Sequence, residues 1–348
     1  MTGATFASRL LHWFDRHGRH DLPWQHPRTP YRVWISEIML QQTQVSSVIP
    51  YFERFIARFP DLPALAGASI DDVLALWSGL GYYSRARNLH RAAIFCMERH
   101  DAALPRTFDD LLALPGIGRS TAAAILAQAH GDRIAILDGN VKRVLARHAG
   151  IEGVPATTAI ERKLWQVAES HLPPSRMADY TQALMDFGAT RCTARRPACA
   201  HCPVAGDCVA HATDRVAFLP TPRARKAVPE RSLCMLVLIN EDEEVLFERR
   251  PPIGIWGGLL SLPEFPSTDA ARVAASRWGV AMAESRTGAV YRHRFTHFTL
   301  DITPCILQIR THAQVSDDAS AWHDRDRLAD LALPTAVRRV LHAALAVS

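Results

Sequence analysis

From Phe6 to about Ala210 the apolar residues recur three and four positions apart, as in Val73, Leu74, Trp77 and Leu80, and no alternating strand interrupts them. The pattern predicts an all-helical region of many helices, each roughly 8–18 residues long. Pro23, Pro30, Pro50, Pro60, Pro63, Pro105, Pro115, Pro155, Pro173 and Pro174 mark helix starts or breaks, and Thr107 or Asp109 can cap a helix that ends before Leu114. At Phe218–Glu230 the text turns to Pro- and Arg-rich LPTPRARKAVPE, which buries little and reads as a linker. Beyond it, Cys234–Asn240, Glu244–Glu248 and Phe298–Ile302 are short β-type runs, with a helical stretch at Asp269–Trp278. The expected organisation is a helical domain over 1–217, a linker over 218–230 and an α+β domain over 231–348.

Length agrees, since 348 residues is about twice a typical domain. A composition 48% hydrophobic and 22% charged excludes disordered and collagen-like classes. No apolar run approaches the roughly 18 residues of a membrane span and the N-terminus lacks a signal-peptide core, so a soluble, cytoplasmic protein is expected. Residues 1–225 carry 26 Lys+Arg against 20 Asp+Glu, a net of +6, while 226–348 carry 14 against 15, a net of −1. The excess favours a polyanionic partner for the helical part.

Four of the seven cysteines form Cys192-x6-Cys199-x2-Cys202-x5-Cys208. Without a secretory context a disulfide framework is disfavoured, and four thiolates in one loop can hold either zinc or an iron–sulfur cluster. Cys96, Cys234 and Cys305 stand alone and read as buried small hydrophobes. Arg191, Arg195 and Arg196 are either a solvated patch or contacts to a phosphate backbone.

In Leu111-Leu-Ala-Leu-Pro-Gly-Ile-Gly-Arg-Ser-Thr-Ala122, Gly116 and Gly118 let a turn between two helices (about 108–130) approach a ligand closely. The helix that follows offers free N–H groups suited to a phosphate. In Ile136-Leu-Asp-Gly-Asn-Val-Lys-Arg143, Asp138 precedes a helix; it is either an N-cap or an ionised carboxylate that faces a developing cation. Helical glutamates usually face solvent, but Glu37 is flanked by Trp34, Ile35, Ile38, Met39 and Leu40, so burial should raise its pKa. A protonated Glu opposite an ionised Asp is the division of labour that glycosidic cleavage uses.

Together LPGIGRSTA, LDGNVKRV, the Cys192–Cys208 loop and PWQHPRTPYRVWISEIMLQQTQV resemble the MutY family of adenine DNA glycosylases, over nearly the whole chain. The resemblance implies removal of adenine mispaired with 8-oxoguanine, or less well guanine, from duplex DNA, with the base flipped out of the stack. By the match, Glu37 protonates adenine N7 and later assists water. Asp138 stabilises the oxocarbenium ion, and a transient adduct there would make the reaction retaining; Asn140 helps hold these groups. The match implies one 4Fe-4S cluster on Cys192, Cys199, Cys202 and Cys208. It places Leu22, Trp24, Gln25, Ser120 and Gln182 in an adenine pocket, and Gln42 and Tyr82 in the base stack, with ordinary packing as the alternative for Trp24 and Tyr82. Gly116, Gly118, Lys142, Arg195 and Arg196 would meet the backbone. Ser120 stands where other members carry Tyr, and His20 where some carry Arg.

Related endonuclease III enzymes use a hairpin lysine at the place of Ser120 to form an imine. No lysine lies between Met1 and Val141, so a monofunctional glycosylase is expected, with Lys142 trapping product weakly at most, and the protein is expected to be a monomer. In the C-terminal part, Arg249–Phe265 resembles a Nudix fold, yet residues 269–280, DAARVAASRWGV, lack the glutamates a Mg-dependent Nudix hydrolase needs. Phe295-Thr296-His297 aligns with the family loop that contacts 8-oxoguanine. The alternatives are a bifunctional pyrimidine glycosylase/lyase and a non-catalytic DNA-damage-binding protein.

Overall fold

The computed structural model describes residues 4–223, 227–275, 278, 285–309 and 320–346. Residues 224–226 of the linker, 276–277 of the helix expected to reach Trp278, and 279–280 of the glutamate-free stretch lie outside them. Compactness divides the chain into residues 1–67 with 88–225, and residues 68–87 with 226–348. The second grouping takes in a segment that sequence assigns to the helical domain.

Before residue 230 the described elements are helical: α1 (Phe6–His17), α2 (Pro30–Leu40), α3 (Val45–Arg58), α4 (Leu62–Ala66), α5 (Ile70–Trp77), α6 (Ser84–Arg99), α7 (Phe108–Ala113), α8 (Arg119–His130), α9 (Gly139–His148), α10 (Thr158–Ser170), α11 (Met177–Asp186) and α12 (Val209–Ala212). Several are shorter than the pattern predicts. α4 is closed between the Asp61 cap and Gly67, and α7 between the Thr107 cap, whose hydroxyl takes Asp110 N at 3.2 Å, and Pro115-Gly116. Pro50 does not break a helix but lies inside α3, near its start, where exposed Ser46 can leave its carbonyl to solvent. α2 begins where Thr29 accepts Arg32 N and Pro30 needs no partner for a missing N–H.

In the first unit, Leu10 and Phe14 of α1, Ala123 of α8, Leu145 of α9 and Tyr180 of α11 share one buried core. Its last residues are less free than a linker suggests. Leu219 is buried and its carbonyl accepts Arg147 Nε at 2.8 Å, while Thr221 Oγ1 accepts Gly153 N at 2.9 Å.

The second unit carries β1 (Glu230–Ile239), β2 (Glu244–Arg249), β3 (Leu260–Ser261), β4 (Glu264–Phe265), β5 (Ser285–Thr287), β6 (Tyr291–Arg294), β7 (Thr299–Gln308) and β8 (Ser320–Asp324), with α13 (Thr268–Ala275) and α14 (Thr335–Leu345). The sheet is mixed, ordered β3-β2-β1-β7-β5. β1 and β7 run parallel, Glu230 opposite Thr299 through Ile239 opposite Gln308, and the other pairings are antiparallel. Cys234 and Cys305 are buried in its core with Leu236, Leu246 and Ala271. Residues 68–87 join this unit through Arg249, which holds both oxygens of Asp71 at 2.8 Å, and through Ser78, whose hydroxyl donates to Leu333 O at 2.8 Å.

Candidate active site and cysteine loop

Glu37 and Asp138 come from two helices that sequence separates by a hundred residues. α8 packs against α2 and delivers Gln128, a buried polar residue on an alanine-rich helix, whose Nε2 donates to Glu37 Oε1 at 2.8 Å. Burial and the charge of Asp138 push the Glu37 carboxyl up to about 7, against the Gln128 hydrogen bond. Asp138 is the N-cap of α9, its Oδ1 accepting Val141 N at 2.7 Å. It is therefore both a cap and a neighbour of Glu37, not one or the other.

The helix N-terminus does not hold Asp138 at an ordinary carboxylate value as its position suggested. Burial raises it, outweighing the Val141 and Asn140 N–H groups and the Arg143 charge. The charge of Asp138 in turn disfavours ionisation of Glu37.

Asn140 Nδ2 reaches Asp138 Oδ2 at 3.4 Å, and its Oδ1 accepts Arg143 Nη2 at 2.9 Å. Arg143 also donates to Gly188 O at 2.6 Å and Cys192 O at 2.9 Å. Gly188 is needed here, because a Cβ on it would lie 2.7 Å from Asn140 Cβ. Ser120 Oγ accepts Leu137 N at 3.0 Å, tying the start of α8 to the residue before Asp138. Ser120, Leu137, Lys142 and Glu161 line one open cleft, in which Lys142 Nζ pairs with Glu161 Oε1 at 2.6 Å.

Leu22, Trp24 and Gln25 are buried around a short turn at Pro23–Gln25, with Trp24 edge-on to Phe52 at 5.4 Å. Gln182 on α11 is buried as well. His20 is turned to the Phe14 carbonyl, Nε2 at 2.9 Å from it. In the hairpin, Gly116 has φ +81°, and a Cβ would meet that of Asn88 at 2.8 Å. Gly118 has φ −99°, which any residue adopts; with no side chain and open space around it, it leaves the α8 N-terminus uncovered. Gln42 and Tyr82 are both exposed and both have positive φ, 56° and 49°. Tyr82 belongs to the second unit, with the Arg85 guanidinium 5.5 Å from its ring.

Cys192, Cys199, Cys202 and Cys208 line one cavity with Val144 and Phe187. They are spread around its wall; among the described residues no three His, Cys, Asp or Glu side chains gather tightly enough to share a single ion. Burial and the neighbouring cysteines push up the Cys199, Cys202 and Cys208 thiols, Cys202 to about 11. Metal at this donor set would displace those protons. N–H groups support the sulfurs, Val204 at Cys202, and His211 and Ala210 at Cys208. Arg147, buried on α9, braces the loop by donating to Thr193 O at 2.7 Å and Ala194 O at 3.0 Å. Arg195 and Arg196 are exposed beside it.

Phe295, Thr296 and His297 form the tip between antiparallel β6 and β7. Phe295 N closes the turn on Phe298 O at 2.9 Å, and the two rings stack at 4.3 Å. Thr296 and His297 are exposed, with Oγ1 and Nδ1 3.3 Å apart.

Three sequence profiles match in order: the HhH-GPD superfamily of base excision DNA repair proteins over 35–170, the iron-sulfur binding domain of endonuclease III over 192–208, and the NUDIX domain over 234–343. An adenine DNA glycosylase of Buchnera aphidicola subsp. Acyrthosiphon pisum is 35% identical, the match covering 98% of each chain. The chain belongs to the adenine DNA glycosylase family. The human adenine DNA glycosylase is 38% identical over 75% of this chain and 48% of its own length. A thermostable thymine-DNA glycosylase shares the helical fold at TM-score 0.55 and 28% identity, over 60% of this chain and 95% of that one. A non-covalent endonuclease III–DNA complex aligns at TM-score 0.51 and 20% identity, over 60% and 94%.

In this adenine DNA glycosylase family member the cysteine loop is an iron–sulfur ligand set. Sequence reading missed Gln128, Arg143, Arg147 and Asp186. The first left a trace as the one amide inside the apolar run Ala122–Ala127-Gln128. Asp186 left none: it is buried, and Arg19, the guanidinium that pairs with it, lies 167 positions away.

Proposed function

We propose that the protein removes adenine mispaired with 8-oxoguanine or guanine from duplex DNA by hydrolysing its N-glycosidic bond, and does not cut the strand. The reading is carried by a buried carboxyl at Glu37 that keeps its proton to about pH 7, held by Gln128 and within reach of the Asp138 charge. Glu37 gives its proton to adenine N7, the C1′–N9 bond breaks with its electron pair going to the base, and Asp138 faces the cationic sugar. Glu37, now ionised, takes a proton from the water that attacks C1′. Asn140 holds Asp138. Gly116, Gly118, Arg195 and Arg196 suit the phosphates, Gln42 and Tyr82 the opened stack, and Thr296 and His297 the damaged base.

Strand cleavage through an imine needs a free amine. Ser120 has none, and Lys142 is paired with Glu161. Bound at the four cysteines, a 4Fe-4S cluster stiffens the loop that presents Arg195 and Arg196. Single-turnover release from duplexes with adenine opposite 8-oxoguanine, guanine or thymine tests the reading. Release should fall in that order, to almost none opposite thymine. No adenine release from cluster-loaded protein overturns it.

A further inference from the structure

Asp186 closes α11 with almost no exposed surface. Its Oδ2 accepts Arg19 N at 2.7 Å; its Oδ1 accepts Arg19 Nε at 2.9 Å, Arg19 Nη2 at 2.5 Å and Gln182 Nε2 at 2.8 Å. A carboxylate paired with a guanidinium has no proton to give, so it fixes which end of the Gln182 amide faces it. The nitrogen points to Asp186 and the oxygen points away. That oxygen is buried, and among the described residues no donor meets it. A buried acceptor left without a donor costs about 1–3 kcal/mol, so the position is built for an N–H that arrives from outside the chain.

The same network reaches the base pocket. Arg19, which Asp186 grips through backbone and side chain, gives its carbonyl to Gln25 Nε2 at 3.1 Å. Asp186 thereby anchors the segment carrying Leu22, Trp24 and Gln25 at the end of α11. α11 packs on α8, which carries the Gln128 that holds Glu37. The orphaned oxygen and the proton donor are thus set by neighbouring helices.

We propose that Asp186 is the positioning residue for base selection: by turning Gln182 so that its oxygen faces the base, it admits a purine with an exocyclic amine and rejects one with oxygen there. Resting on the adenine-glycosylase reading, the inference adds the origin of its specificity. Once joined through N9, adenine carries hydrogen-bond donors only on its exocyclic amine. Hypoxanthine differs there alone in heavy atoms, presenting a carbonyl that would set acceptor against acceptor. A site built to receive an N–H discriminates strongly against an analogue that lacks it.

The test is single-turnover release of adenine and of hypoxanthine, each opposite 8-oxoguanine, by full-length, cluster-loaded protein. In Asp186→Asn the new amide can donate or accept, so Gln182 is free to turn. The adenine-to-hypoxanthine rate ratio should fall at least about tenfold. Arg19→Lys keeps a cation beside the buried carboxylate, so Asp186 still only accepts from Gln182, and should keep the ratio within about threefold whatever it costs in rate. Should Asp186→Asn fail to fold, Gln182→Met, of similar length and without the acceptor, should lower the ratio equally. Equal slowing of both bases in a folded Asp186→Asn or Gln182→Met protein overturns the proposal. So does a ratio that drops as far in Arg19→Lys. Wild-type protein that releases no adenine refutes the parent reading instead, before any variant is compared.

Discussion

Replacing Glu37 with Gln should stabilise the protein while abolishing base release, and the gain should depend on pH. The carboxyl's ordinary value is 4.5 and its folded value about 7, because burial and Asp138 disfavour its charge. Between those values the unfolded chain has released a proton that the folded chain still holds. Stability therefore falls as pH rises through this window and levels off above about 7. At roughly 1.4 kcal/mol per unit, the full cost is about 3 kcal/mol at pH 8 and about 1 kcal/mol at pH 5. A glutamine keeps the oxygen that accepts from Gln128 Nε2 but has no charge to bury. The variant should thus gain about 2 kcal/mol more at pH 8 than at pH 5, or about 4–8 °C in Tm for a unit of this size. Thermal melts of both proteins at the two pH values, read with cluster absorbance and base release, measure it. A stability difference that does not change with pH would mean that Glu37 is solvated and ionised in the folded state, and the general-acid role would fall with it. The wild-type release rate should decline above about pH 7 for the same reason, as the acid loses its proton.

Three further outcomes follow from the contacts. Arg147→Met strips donors from the Thr193, Ala194 and Leu219 carbonyls, so the variant should lose about 3 kcal/mol or more and bleach faster in visible absorbance under a chelator; equal bleaching rates would remove Arg147 from the loop's support. Glu161→Gln frees Lys142, so borohydride trapping on a duplex with a preformed abasic site should rise severalfold, and no rise would show that the ion pair does not restrain the amine. Thr296→Ala removes an exposed hydroxyl at the β6–β7 tip; the preference for adenine opposite 8-oxoguanine over guanine should narrow about tenfold while release opposite guanine holds, and an unchanged preference would take Thr296 out of lesion reading.

What sequence made legible was whatever repeats locally or recurs as a motif. Helical spacing up to Ala210, the Gly116 turn, the four-cysteine loop and the apolar surroundings of Glu37 all lie within short windows, and each corresponds to the structure. The parts that escaped depend on long-range partners. Gln128 meets Glu37 across 91 positions and Asp186 meets Arg19 across 167, and no window contains both ends. Asp138 shows the limit from the other side: its cap was readable from the residues that follow it, but the burial that outweighs the cap comes from elsewhere in the fold.

Residues 68–87 group with the C-terminal sheet while their sequence neighbours do not. The chain therefore passes from one compact body to the other three times rather than once. On the ribosome, α5 and the Tyr82 loop emerge early, whereas Arg249 and Leu333, which hold Asp71 and Ser78, arrive only near the end of translation. At roughly 5–20 residues per second that is a wait of about ten seconds to a minute. During it residues 68–87 lack the sheet with which they group in the folded chain. Nascent chains stalled or truncated before Arg249 should be the aggregation-prone ones, and chaperone dependence should end when the final strands are made.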